Sequence, residues 1–283
     1  MPSTRRRGSG GGLLEEAREL LAARGAVPSA GKVPPWLGRG GARQPGIGRF
    51  LDHTLLAPEA QKDQIAALCD EAIRWELKAV CVNGGWVRRA AELLAGSPVL
   101  LATVVGFPLG ATASGAKAAE ARLAVEGGAA EVDTVLPLGP AKSGDWGYVE
   151  ADILAVVEAS GRATVKVILE TAALEPVQIV AGCLAAVRAG AAFVMTSTGF
   201  HGAGGATVEA VALMRQAVGP AFGIKASGGV RTGELALRML LAGANRIGTS
   251  AAGAMTALLG RDAAPLGLLL EPYLSKGDAV TAR

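Results

Sequence analysis

The chain has 283 residues, half of them hydrophobic and 19% charged, with 40 glycines and 14 prolines. That is too apolar for a disordered protein, and it is enough chain to bury a sizeable core in one large domain or two small ones. A formal net charge of +3, with 28 basic residues offset by 25 acidic ones, argues against nucleic acid as a partner.

Residues 1–48 are rich in Gly, Arg and Pro apart from one helical stretch near Leu13–Ala23, and they read as a mobile, solvated N-terminal arm. Arg5, Arg6 and Arg7 are followed by glycines and then by Glu15, Glu16 and Glu19, without an apolar run, which argues against a targeting segment. From Phe50 onward, short β-rich runs alternate with alanine-rich amphipathic segments. Strands are expected at Leu51–Leu55, Ala79–Val82, Leu100–Val105, Glu131–Leu136, Thr164–Leu169, Phe193–Thr196, Gly223–Lys225 and Arg246–Ile247. Helices are expected at Ala60–Trp75, Gly85–Leu94, Lys117–Glu126, Tyr148–Ala159, Val177–Ala189, Val208–Val218, Glu234–Leu241 and Ala251–Leu258.

Eight βα units predict an α/β fold, a single-domain (β/α)8 TIM barrel over 49–262, followed by a C-terminal helix or tail at 263–283. A doubly wound open sheet is the alternative, but no G-x-G-x-x-G follows the first strand and no P-loop occurs. The uncharged run Leu93–Ala116 is broken by Gly96, Pro98, Gly106, Pro108 and Gly110, so no membrane span is expected. Cys69, Cys81 and Cys183 form no C-x-x-C and have only two histidines to complete a metal site, so they read as reduced thiols of a cytoplasmic protein.

Strand alternation assigns side chains to the two faces of the barrel wall. If Val165, Val167 and Leu169 face the helices, Lys166, Ile168 and Glu170 face the interior. The same argument sends Lys225 and Ser227 inward beside Ile224, and Asp133 inward beside Val132. Three ionisable groups then share one interior. Burying charge is costly, and such a cluster is either a salt-bridged core triad or a functional site. Two lysines and a carboxylate around a small cavity suit carbonyl chemistry, with one amine forming a Schiff base, a second cation lowering its pKa, and the acid moving protons.

Ser227-Gly228-Gly229 after the seventh strand and Gly248-Thr249-Ser250 after the eighth each lead into a helix, where N–H groups and the helix dipole can hold a phosphate. Gly199 and the Gly204-Gly205 pair can add backbone donors. A small phosphorylated molecule is the expected ligand.

The stretches LDHTLLAPEA, ATVVGFPLGAT, EVDTV, KSGDW, VKVILET, TSTGF, GGATVE, IKASGGVRT and RIGTSA, over about residues 50–260, resemble deoxyribose-phosphate aldolase. The resemblance implies a cofactor-free barrel that reversibly cleaves 2-deoxy-D-ribose 5-phosphate to acetaldehyde and D-glyceraldehyde 3-phosphate in deoxynucleoside catabolism, and often a homodimer. It implies that Asp133 transfers protons, that Lys225 transfers protons or tunes the nucleophile, and that Lys166 is a further site lysine.

It also places the imine-forming lysine immediately before TSTG, where this chain has Met195. A thioether cannot form an imine, so the expectation divides. Either Lys225 or Lys166 supplies the amine, or the chain is a pseudoenzyme that binds a sugar phosphate as sensor or scaffold. Met195 fills a lysine slot without overpacking, and without a cation there Lys225 is expected to stay protonated. Smaller departures are Gly84-Gly85 after CVN, and Pro137 and Pro140 in the loop after Asp133. Asp52 and His53 read as a hydrogen-bonded pair on strand 1 rather than a catalytic dyad, Cys81 as packing at the cavity's border, and His201 as a surface residue.

Overall fold

A computed structural model describes residues 10–23 and 46–259. Eight parallel strands close into a barrel in chain order: β1 (Leu51–Leu55), β2 (Ala79–Val82), β3 (Leu100–Val105), β4 (Glu131–Val135), β5 (Thr164–Ile168), β6 (Phe193–Met195), β7 (Gly223–Ser227) and β8 (Arg246–Thr249), with β8 pairing back onto β1. The TIM barrel expected from the βα rhythm is the fold observed.

The helices are α1 (Gly10–Ala22), α2 (Lys62–Arg74), α3 (Val87–Leu93), α4 (Ser114–Glu126), α5 (Leu138–Lys142), α6 (Trp146–Ser160), α7 (Pro176–Arg188), α8 (Val208–Val218), α9 (Gly233–Ala242) and α10 (Ala252–Leu259). Several starts are set by local chemistry. The side chains of Asp145, Thr207 and Thr232 accept the N–H groups of Tyr148, Ala210 and Leu235, which would otherwise be orphaned in the first turns of α6, α8 and α9. Pro176 opens α7, where a missing N–H costs nothing.

The core lies between strands and helices. Val132, Leu136, Val165, Val167, Leu169, Ile224 and Ile247 join one large apolar cluster with helix residues such as Ile153, Val156, Ile179 and Val211. Two small clusters lie inside the barrel: Cys81 with Ala102 and Val104, and Met195 with Val135 and Ile168. Phe107 packs against both.

Three local expectations change. Pro137 and Pro140 do not lie in an open loop: Pro137 caps α5, and Pro140 sits inside that short helix. Gly248 and Thr249 belong to β8 rather than to the loop beyond it. The helical part of the arm, α1, is docked. Its apolar face buries Leu13 and Ala17, it packs against α7 and α6, and Glu16 pairs with Arg188. The rest of the arm and the C-terminal segment at 263–283 lie outside the described residues. Among the described residues, no helix is long and apolar enough to cross a membrane.

Candidate active site

The barrel interior holds a closed ring of six buried charged groups. Lys166 Nζ lies 2.6 Å from Asp133 Oδ1, and Lys225 Nζ lies 2.7 Å from Asp133 Oδ2. Lys225 Nζ also lies 2.8 Å from Asp52 Oδ2, an ion contact without hydrogen-bond geometry, and Asp52 Oδ1 accepts from Arg246 Nε at 2.7 Å. Arg246 Nη2 reaches Glu131, and Glu131 Oε2 returns to Lys166 Nζ at 2.7 Å. Signs alternate around the ring, so three carboxylates balance three cations. Each charge thus has two opposite neighbours, the condition under which ionised groups persist out of water.

This balance fixes protonation. Burial alone would raise the pKa of Asp133, but Lys166 and Lys225 hold it below the usual carboxylate range. Asp52 is held at about 2 against the same burial penalty, chiefly by Lys225 and then Arg246. Burial would lower the pKa of Lys225, yet Asp133 and Asp52 more than offset it and hold the ammonium above its ordinary range. Lys225 is therefore a proton-bearing cation at neutral pH, as the sequence argument expects, and a poor nucleophile.

Three members of the ring escaped the sequence reading: Asp52, Glu131 and Arg246. The signal was present, because strand alternation places all three on the interior side of β1, β4 and β8. Asp52 and His53 are not a bonded pair. They leave β1 on opposite faces, and His53 Nε2 lies 2.8 Å from Glu71 Oε2 on α2.

Met195 takes the interior position beside Lys225: the two are register partners across β6 and β7. It is buried, and its cluster with Ile168 and Val135 is wholly apolar. Cys81 also faces the interior, where burial pushes its thiol up to about 12, so it is packing rather than a nucleophile. His201 is exposed, with Nδ1 accepting from Ala203 N.

The glycine-rich loops gather above the ring. Thr196 Oγ1 donates to Ser227 O at 2.8 Å, Ser227 Oγ donates to Ser197 O at 2.6 Å, and Ala206 N donates to Gly228 O at 2.9 Å. These bonds tie the loop after β6 to the loop after β7. The N–H groups of Gly199, Gly228, Gly229 and Ser250 make no hydrogen bond to another described residue. Gly248 also has a steric part to play. A Cβ on it would meet Lys225 Cε and Ser227 Cβ, each at 2.9 Å, so its glycine makes room for the lysine. Thr249 Oγ1 accepts from Ala251 N at the entry to α10. Among the described residues, no group of three His, Cys, Asp or Glu side chains is arranged to hold a metal ion.

Residues 50–264 match the model of the DeoC/LacD family of aldolases. The chain belongs to this aldolase family. It is 55% identical over 204 residues to deoxyribose-phosphate aldolase of Brevibacillus brevis, covering 72% of this chain and 92% of that protein. With the enzyme of the same name from Streptococcus gordonii it shares 53% identity, with the same coverage. Among solved structures, the tetrameric deoxyribose phosphate aldolase of Aeropyrum pernix superposes with a TM-score of 0.70 at 28% identity, covering 90% of this chain and 97% of that one. A chain from Coccidioides immitis reaches a TM-score of 0.81 at 33% identity, covering 89% of this chain and 98% of that one. The family assignment covers the barrel and leaves α1 outside the matched residues.

Proposed function

We propose that this barrel binds 2-deoxy-D-ribose 5-phosphate and carries the deoxyribose-phosphate aldolase reaction, reversible cleavage to acetaldehyde and D-glyceraldehyde 3-phosphate without a cofactor. The observation that carries this reading is Asp133, ionised and held between Lys166 and Lys225 beneath loops rich in free N–H groups. The relatives named above act in its favour. In this reading Gly199, Gly228, Gly229 and Ser250 grip the phosphate through backbone N–H groups, and Thr249 supports that loop through its hydroxyl. Gly248 belongs to the same phosphate site and in addition leaves space for Lys225.

Cleavage breaks the C2–C3 bond, removes the proton of the C3 hydroxyl and leaves an electron pair on C2 that the C1 centre must accept. Asp133 is the proton acceptor and Lys225 the donor that returns a proton to carbon. The electron sink is an iminium in lysine-dependent aldolases, and it requires an amine with a free lone pair. Met195 offers none. Lys225 and Lys166 each sit between two carboxylates, so either must first give up a proton and an ion pair to attack C1.

Met195 therefore favours a second reading, in which the chain binds the sugar phosphate as a sensor or scaffold and does not turn it over. Incubation with deoxyribose 5-phosphate or acetaldehyde, followed by borohydride reduction and peptide mass spectrometry, separates the two. An adduct on Lys225 or Lys166 establishes substitute imine chemistry. Binding of the sugar phosphate without an adduct establishes the binding protein, and failure to bind overturns both. A cytoplasmic location and a homodimer complete the proposal, and sedimentation of the full chain tests the latter.

A further inference from the structure

Glu170, at the end of β5, is a buried carboxylate that takes no part in the charge ring. Its backbone has φ 57° and ψ 56°, a left-handed conformation uncommon for a residue with a side chain. Only 1% of it is exposed, and no ion pair forms on it among the described residues. Its carboxylate is engaged by a single residue: Thr198 Oγ1 donates to Oε2 at 2.5 Å, and Thr198 N approaches both oxygens at 3.3 Å.

Thr198 passes the constraint onward. Its hydroxyl oxygen accepts the N–H of Phe200 at 3.1 Å, closing a turn around Gly199. Gly199 lies against the loop after β7, since a Cβ on it would stand 3.5 Å from Gly228 Cα. The neighbouring backbones leave Thr171 N donating to Thr196 O and Ala173 N donating to Glu170 O, each at 2.9 Å, so the left-handed residue is clamped on both sides. Strained residues persist where surrounding structure over-determines them, and this one is held at the junction of the glycine loops.

We infer that Glu170 is a positioning residue for phosphate binding: its buried carboxylate fixes Thr198, and through it the Gly199 turn, against the loop of Gly228 and Gly229. The inference rests on the sugar-phosphate reading of the site. Because Thr198 N–H is taken up by Glu170, the donors left to an anion start at Gly199. Glu170 never touches the ligand, and its effect is on the placement of those donors.

The test uses the full chain and isothermal titration with deoxyribose 5-phosphate, inorganic phosphate and unphosphorylated 2-deoxyribose. Titration of the parent with the first two tests the sugar-phosphate reading by itself. Glu170→Gly accepts the left-handed backbone but lacks the carboxylate; relief of the strained backbone offsets part of the cost of leaving Thr198 unpaired, so the variant is expected to fold, with native circular dichroism and a cooperative unfolding transition. Its affinity for both phosphate-bearing ligands is expected to fall about tenfold, with no change for 2-deoxyribose. Glu170→Gln keeps an oxygen acceptor for Thr198 and is expected to restore affinity to within about twofold of the parent. If the parent binds phosphate and both variants bind it equally well, the inference is overturned. It is overturned equally if the loss extends to 2-deoxyribose or the glutamine variant fails to rescue, since either result describes a structural residue.

Discussion

Met195 and Lys225 are register partners on adjacent strands, so a thioether and a buried ammonium leave the barrel wall side by side into the same interior. The ammonium is satisfied by Asp133 and Asp52, and the thioether by Ile168 and Val135. The charge ring is therefore complete without any contribution from position 195, and a change there meets apolar neighbours on one side and a fixed cation on the other.

Met195→Lys is the first consequence. A new amine enters an interior whose three carboxylates are already matched, and it does so beside Lys225. Burial and the neighbouring cation both disfavour its charged form, so its pKa falls and it stands as a neutral nucleophile near neutral pH. Acetaldehyde with borohydride is expected to label position 195, and aldolase activity is expected to appear in a coupled assay for glyceraldehyde 3-phosphate. A labelled variant without cleavage would shift the defect to the surroundings of Asp133.

Acid stability follows from the ring. Asp52 has a folded-state pKa of about 2 against an ordinary value of 3.8, and Asp133 is shifted in the same direction. A lowered carboxylate pKa stabilises the fold fully above the unfolded value, and that stabilisation is lost as pH falls through the folded value. The unfolding temperature, followed by calorimetry, is expected to be little affected by these groups above pH 3.8 and to drop steeply between there and about 2. A flat profile across that window would mean that the ring is not ionised as described.

Gly248→Ala tests the space beside Lys225. The added methyl would stand 2.9 Å from both Lys225 Cε and Ser227 Cβ, inside ordinary van der Waals contact. Overpacking of this kind costs about 1–3 kcal/mol, read as a lower urea midpoint at unchanged slope. Because the methyl displaces the lysine stem, ligand affinity is expected to fall along with stability.

Leu13→Ala tests the docking of α1. Leu13 is almost fully buried against the outer helices, and truncating such a leucine costs about 2–5 kcal/mol of the contact that holds it. Hydrogen exchange across 10–22 is expected to accelerate to the rate of an undocked helix, while strands β4 to β8 keep their protection. Unchanged exchange in α1 would show that Leu13 does not anchor it.

Much of the site was legible because a strand has a period of two. Once Val165, Val167 and Leu169 were set on the helix side, Lys166 had to face inward, and the same logic placed Asp133 and Lys225. Glu131 shares β4 and its inward face with Asp133, so the same period places it too, whereas Asp52 and Arg246 stand on strands with less regular alternation of polar and apolar residues. Lys117 was beyond its reach altogether. It lies on a helix, fully buried, and only the facing α6 supplies the Asp152 carboxylate at 2.8 Å that makes its burial tolerable. The length of β8 and the helix at Leu138–Lys142 also escaped, because a glycine and two prolines read locally as loop.

The sequence by itself determined the barrel, its strand order and the inward direction of Asp133, Lys166 and Lys225, since each depends on periodicity within a few neighbouring residues. Only the tertiary structure decided that these charges close into a neutral ring with Asp52, Glu131 and Arg246, that Gly248 yields space to a lysine, and that Glu170 holds a distant loop. The reason is physical: alternation fixes which way a side chain points, whereas the pairing of buried charges depends on distances across the barrel that no local pattern encodes.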